Sequence, residues 1–351
     1  MERFARLIHS SAPDGAALTR ALRVLVVTNL LPTVEAPGVG VFVRDEVESL
    51  RALDVNIDVM HLDRLAQGRT VYAGLARRLR KHASAFAPDL IHVMYGGVMA
   101  DVVTRSVVSR PVLVSFCGTD LLGGSEGGLR QRMSRRYNVV ASHRAAKRAA
   151  GIIVKSRNLR DALPQGIDSD HVWLVPDGVD FDQFVPGDRD AARARLGWTQ
   201  GVAHIVFPAA ETRPEKNFPL ARAAVDRLRD LGHHVELHAL TGLPREEVPT
   251  WLNAADAVLL TSTHEGSPNA IKEAMACDVP IVAVDVGDVR ERIGDADGCY
   301  IAAAAPGDLA EKLSLVLARD ERPSLRGRVE DVSLQVLARR LFDIYRGLVQ
   351  G

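Results

Sequence analysis

Two glutamates, Glu265 and Glu273, flank the segment GSPNA within TSTHEGSPNAIKEAMACDVP, which runs from Thr261 to Pro280. Ser267 is a favourable N-cap residue, and Pro268 suits a first helical position because its missing N–H has no partner there and its φ is already helical. The spacing therefore predicts a helix opening at Pro268. The amides of Asn269, Ala270 and Ile271 then face forward with those of Gly266 and Ser267, and the helix dipole adds positive potential at the same mouth. Such a mouth binds anions. At ~1.5 Å rise per residue, Glu273 lies roughly 8 Å along the helix from it. A phosphate at the mouth would have Glu265 on one side and Glu273 about one sugar away on the other, each able to accept hydrogen bonds from vicinal hydroxyls. That arrangement suits a sugar–diphosphate–ribose ligand.

The elements that must hold this mouth are legible as short apolar runs. LRVLVVTN, VNIDVMHL, LIHVMY, PVLVSF, GIIVKS and HVWLVP, then AHIVFPA, HVELHAL, AVLLTS, PIVAVDV and GCYIAA, read as buried parallel strands separated by helical or loop segments. Two such series predict two doubly wound α/β units, with DGVDFDQFVPGD as the break between them. Ligands of these sheets bind beyond the strands' C-terminal ends, so the cleft between the units is the expected site. The segment TGLP, Thr241 to Pro244, follows a strand, and Thr241, Gly242 and Leu243 would line the nucleoside end with backbone groups.

Composition sets outer limits. The 351 residues are 47% hydrophobic and 25% charged, enough for two cores, and 44 basic residues balance 44 acidic ones, which gives no field calling for nucleic acid. The charge is uneven, however: ten Lys or Arg and no Asp or Glu fall between Gly127 and Arg160. This basic region, 130–160, is either a solvated helix face or a contact for an anionic acceptor or anionic lipid headgroups. Cys117, Cys277 and Cys299 lack the spacing of a disulfide framework or a zinc site. No secretory leader or membrane span is apparent, which predicts a cytoplasmic protein, peripheral to a membrane at most, whose first twenty residues form a short amphipathic helix or stay disordered.

EGSPNAIKE resembles the E-x7-E motif of family 4 glycosyltransferases, retaining enzymes of the GT-B fold. In order along the chain, GVGVFV, PDLIHVMYG, VSFCGTD, VPDGVDFDQF, RPEKNF and ADAVLLTSTHEGSPN resemble successive blocks of that family. The resemblance implies an acceptor-side domain over 1–182, a nucleotide-sugar domain over 183–337, and a last helix over 338–351 packing back on the first. It implies transfer of a sugar from a nucleoside diphosphate, UDP in first place, to a hydroxyl acceptor (saccharide, glycolipid or natural product). Lys216 and Arg213, beyond the strand in FPAAETRPEKNF, would meet the charge developing on the departing diphosphate. Glu265 would hold the transferred sugar and Glu273 the ribose, with Gly266, Ser267, Pro268, Asn269 and Ala270 around the phosphates. Gly38 and Gly40 would approach the donor from across the cleft. Cys117, where the family often has histidine, and Asp120 fall on the acceptor side, Asp120 binding an acceptor hydroxyl or orienting its loop. Many members place an arginine where this chain has Glu211. Asp177 reads as a turn residue, His92 as structural and His264 as a bystander. The Ala- and Arg-rich composition points to a GC-rich bacterial source.

The resemblance implies front-face attack, in which the leaving phosphate oxygen helps take the acceptor proton; the lack of a nucleophile elbow or an acid–base carboxylate pair is consistent with it. With no DxD-like setting, and with cations and helix amides able to neutralise the diphosphate, no metal or other cofactor is expected. NAD binding fails on spacing: Gly38 and Gly40 come nine residues after the strand ending at Asn29, and the third glycine is missing. A UDP-sugar epimerase or a non-catalytic sugar-nucleotide-binding subunit of the same fold are the alternatives.

Overall fold

A computed structural model describes residues 20–36, 38–107, 109–124 and 128–351, so all but the last of the first twenty residues lie outside it. The eleven expected strands form two sheets, parallel throughout. The first comprises β1 (Arg23–Thr28), β2 (Asn56–His61), β3 (Leu90–Met94), β4 (Val112–Phe116), β5 (Gly151–Val154) and β6 (Val172–Leu174), in the order β2-β1-β3-β4-β5-β6. The second comprises β7 (Ala203–Phe207), β8 (Val235–Ala239), β9 (Ala257–Leu260), β10 (Ile281–Val284) and β11 (Tyr300–Ala302), ordered β11-β10-β9-β7-β8. Helices cover both faces, which is why β3, β4, β5 and β9 are buried at every position and carry no polar alternation. Strand order reverses beside β1 in one sheet and beside β7 in the other. The loops after those strands therefore diverge and leave room for a ligand.

Helix Val41–Arg51 follows the β1 loop and starts at Gly40, which has φ 70°. A Cβ there would sit 2.3 Å from the Leu30 carbonyl carbon. Glycine at this position is thus demanded by the chain folding back on itself, and Gly40 does not line the cleft.

The chain passes between the two sheets twice. It leaves β6 through residues 175–188 and returns ahead of helix Leu334–Gln350, and the two passages run side by side: Val179 N–H donates to Val332 O (3.0 Å) and Leu334 N–H to Val179 O (2.9 Å). The returning helix, capped by the Ser333 hydroxyl, packs on helix Val41–Arg51 and β3. Its Tyr345 hydroxyl meets His92 Nδ1 at 2.7 Å, and Ser115 Oγ meets His92 Nε2 at 2.7 Å.

Burial, assisted by the Lys155 charge, pushes His92 down to about 3. Its folded pKa is depressed, so the unfolded chain takes up this proton first. The stability that neutral His92 contributes is complete above about pH 6.5 and drains as pH falls toward 3, at up to about 1.4 kcal/mol per pH unit. His92→Gln should flatten this acid limb, read as urea midpoints at pH 7 and pH 5. Equal pH slopes in the two proteins would refute the assignment.

Candidate functional site

The loops beyond the C-terminal ends of both sheets enclose a cleft of about 610 Å3. The motif helix runs from Asn269 to Ala276. Its start differs from the sequence expectation: Pro268 occupies the N-cap with φ −69° and ψ 116°, and no side chain caps the helix. Ser267 is not the cap because its hydroxyl is spent elsewhere, donating to Asp288 Oδ2 (2.7 Å) and accepting from Lys272 Nζ (3.0 Å). The amides of Asn269 and Ala270 are left at the mouth beside Gly266, Ser267 and Pro268, and all five residues line the cleft. The Ile271 amide, expected to face forward with them, instead donates to Pro268 O at 3.2 Å.

Glu273 lines the same cleft and is 5% exposed, with Oε1 2.6 Å from the Arg245 guanidinium. Arg245 also lies over the Phe184 ring, 4.6 Å from its centroid. Sequence reasoning missed Arg245, although its place just after TGLP, in the loop beyond β8, was a usable signal. Gly242 and Leu243 line this end, while Thr241 is exposed beside them.

At the other end, Lys216 closes a short 3-10 turn, Pro214–Lys216, whose backbone is pinned by Thr261 Oγ1 donating to Lys216 O (3.0 Å). Lys216 Nζ lies 2.5 Å from Glu265 Oε1, which also accepts from Ser262 Oγ (2.7 Å). The cation and the carboxylate expected to act separately are one ion pair. Arg213 stands differently: it is exposed, bonded to Glu215 at 2.7 Å, on the rim shared by the cleft and a neighbouring cavity. Glu211 is exposed, 4.0 Å from Arg222.

The first domain supplies the facing wall. Gly38 lines the cleft with open space at its Cα. The VSFCGTD loop approaches so closely that a Cβ on Gly266 would lie 2.9 Å from Cys117 O, and Asn158 Nδ2 donates across the gap to Glu265 O at 3.1 Å. Asp120 is fully buried, its carboxylate accepting N–H bonds from Gly96 (2.8 Å), Gly118 (2.7 Å) and Cys117 (3.1 Å). Of the two roles expected for it, the structure supports orienting the loop, since those oxygens are already taken. Burial, reinforced by the Asp120 charge, holds the Cys117 thiol well above its usual range, so it stays neutral on the cleft wall.

Behind that wall lies a buried set of charges that sequence reasoning did not connect. Lys155, 1% exposed, sits 3.1 Å from Glu46 Oε2 and 2.9 Å from Asp177 Oδ1. Burial opposes its charge, but the Asp177 and Glu46 carboxylates outweigh burial and hold the ammonium well above the ordinary lysine range. Asp177 is therefore an ion-pair partner and not only a turn residue. Lys272, from the motif helix, donates to Asp177 O at 2.7 Å and so joins the second domain to the first.

The neighbouring cavity, about 920 Å3, lies between the 64–72 segment, helix Leu129–Ala146 and the Arg213 rim. Arg64, Arg69, Arg130, Arg135 and Arg213 line it against one carboxylate, Glu215. His264 borders both spaces, its Nδ1 3.1 Å from Thr263 Oγ1.

Residues 16–183 match the glycosyltransferase family 4 model and residues 212–319 the model for glycosyl transferases group 1. A D-inositol 3-phosphate glycosyltransferase of Geodermatophilus obscurus is 30% identical over 57% of this chain, and the match spans only 51% of that relative's length. The 2-deoxystreptamine glucosyltransferase of Streptomyces kanamyceticus is 25% identical over 84% of this chain and 85% of its own. Among solved structures, the sucrose-phosphate synthase of Thermosynechococcus elongatus superposes with TM-score 0.77 at 16% identity, covering 93% of this chain and 99% of that one. Anabaena HepE in complex with UDP gives 0.68 at 16% identity, covering 93% of this chain and 100% of that one. These likenesses do not favour the epimerase or partner-subunit alternatives. With two facing parallel-sheet domains, an uncapped helix mouth between two glutamates and both family models in register, the chain belongs to the family 4 glycosyltransferases of the GT-B fold.

Proposed function

We propose that this protein transfers a sugar from UDP-sugar to a hydroxyl acceptor with retention of anomeric configuration and without a catalytic metal. The observation that carries the reading is the cleft itself. It offers Arg245-bound Glu273 for the ribose, the open amides of the Asn269–Ala276 helix for the diphosphate, and the Lys216–Glu265 pair where diphosphate meets sugar. In the reaction the bond from the anomeric carbon to the phosphate oxygen breaks. The acceptor oxygen bonds to the same face, and its proton passes to the leaving phosphate oxygen. Lys216 and the helix amides stabilise the charge gathering there. UDP is favoured by the HepE structures, which hold UDP and UDP-glucose. Metal independence is read from the Lys216 cation and the helix amides, which can neutralise the diphosphate themselves.

The arginine-lined cavity suits an acceptor that carries a negative charge, in keeping with the phosphate in the name of the inositol-phosphate relatives. Helix Leu129–Ala146 also exposes Leu129, Met133, Tyr137 and Val140 among its arginines. That mixture fits the headgroup layer of an anionic membrane. Among the described residues no helix is long and apolar enough to cross one. The protein should co-sediment with phosphatidylglycerol vesicles at low salt and detach at high salt; indifference to salt and lipid charge would remove this contact.

Calorimetry with UDP, GDP and dTDP tests the donor, expected to favour UDP. Glu273→Ala should weaken UDP binding by roughly tenfold, the worth of about 1.4 kcal/mol of charged hydrogen bonding. Transfer should proceed equally with or without added Mg2+ or Mn2+, and NMR of the product should show the donor's anomeric configuration. An inverted product would overturn the mechanism while leaving the donor site standing.

A further inference from the structure

The second domain carries a cluster of nitrogen and oxygen ligands that the transfer reaction does not use. His204 is the second residue of β7, and Glu236 and His238 stand two apart on β8, the edge strand of the sheet. His204 pairs in register with Glu236. Because side chains alternate along a strand, all three project from the same face.

There His204 Nδ1 and His238 Nε2 lie 2.9 Å apart, and Glu236 Oε2 is 3.7 Å from the first and 3.6 Å from the second. Two ligands bound to tetrahedral Zn2+ at ~2.0–2.1 Å stand about 3.3–3.4 Å from each other, a value these three separations bracket. We propose that His204, Glu236 and His238 form a binding site for a divalent transition-metal ion of the zinc type, with a fourth position open to water.

The surroundings favour this use. His204 is fully buried, and its Nε2 lies 2.9 Å from Thr199 O. That bond puts the proton on Nε2 and leaves the Nδ1 lone pair aimed at the cluster, the outer contact a metal-bound histidine ordinarily makes. The His238 ring is stacked on Trp198 at 4.0 Å and 7°, and edged by Trp251, so its plane is fixed. Glu236 is 43% exposed, which gives an ion a route in from solvent. Two imidazoles and one carboxylate select a borderline cation such as Zn2+ over Mg2+ or Ca2+, which prefer oxygen. The ion would bridge β7 to an edge strand that leads directly into the Thr241–Leu243 loop, a structural role distinct from the metal-free chemistry proposed for the cleft.

The test uses the untagged full chain, dialysed against chelator, with far-UV circular dichroism confirming the fold of each variant. Calorimetry with Zn2+ should give one equivalent bound with a Kd of roughly 1 µM or lower. Co2+ should give the intense visible bands of a four-coordinate ion and quench Trp198 fluorescence. Glu236→Gln, at an exposed position that leaves the fold alone, should weaken Zn2+ binding at least about tenfold. His238→Phe, which keeps a ring on Trp198, should abolish it. The proposal falls if wild type binds no stoichiometric Zn2+, if Co2+ shows only the weak bands of a six-coordinate ion, or if both variants bind as wild type does. UDP binding is an independent measurement, so failure here leaves the donor assignment untouched.

Discussion

Lys216→Ala is expected to lower kcat by roughly 100- to 1,000-fold while the protein remains folded, the loss typical when one donor facing a developing oxyanion is removed. Lys216 is held for this task from two sides. Its backbone is fixed by the Thr261 hydroxyl, and its ammonium is held at 2.5 Å by Glu265, with both side chains about 15% exposed. The substitution removes a cation and also leaves the Glu265 carboxylate uncompensated beside an incoming diphosphate. Glu265→Gln in the same chain should therefore recover part of the donor affinity that Lys216→Ala loses, a non-additivity expected of groups in direct contact. Steady-state kcat and KM on the four proteins of the cycle decide it. If Lys216→Ala turned over near the wild-type rate, the lysine would not face the departing diphosphate.

Lys155→Met is the second large effect, and it falls on stability. The ammonium is shared by Glu46 and Asp177, and removing it strands two carboxylates in a buried setting, which typically costs about 3–5 kcal/mol. The deficit should shrink on acidification. Burial already raises the Glu46 carboxyl against the pull of Lys155, and the variant loses that pull, so the native state takes up this proton before the unfolded chain and gains stability as pH falls toward the carboxylate range. Urea unfolding of wild type and variant at pH 7.5 and pH 5 measures both parts. A deficit that stays constant with pH would mean that lost packing, not stranded charge, is responsible.

The readable part of this protein was the part governed by local rules. Central strands buried on both faces must be apolar at nearly every position, and the half-buried edge strands β2, β6, β8 and β11 still kept short apolar runs, so all eleven could be seen, and the order of blocks around EGSPNAIKE identified the family. The donor motif was legible because glutamate, glycine, serine and proline meet within a few residues. Partners brought together only by tertiary folding stayed hidden. Ser267 reads as an N-cap until Asp288, 21 residues on, accepts its hydroxyl hydrogen bond. Asp120 reads as an acceptor ligand until three amides converge on it. The His92–Tyr345 contact joins residues 253 apart, and nothing in PDLIHVMYG announces it. Lys155 and Lys272 each left a trace, a lysine closing a buried strand and another inside the motif helix, but not the identity of the carboxylate and carbonyl between them.

The paired passages of chain at Val179 and Val332–Leu334 limit how the halves can move. A single connecting strand would let one domain swivel and wobble about any axis. Two strands bonded side by side, Val179 N–H to Val332 O and Leu334 N–H to Val179 O, resist twisting and sideways drift and leave bending across their common line as the soft coordinate. Opening and closing of the cleft is thereby reduced to nearly one degree of freedom. Any opening about that line must part the Cys117 carbonyl from Gly266 and break the Asn158 bond to the Glu265 carbonyl.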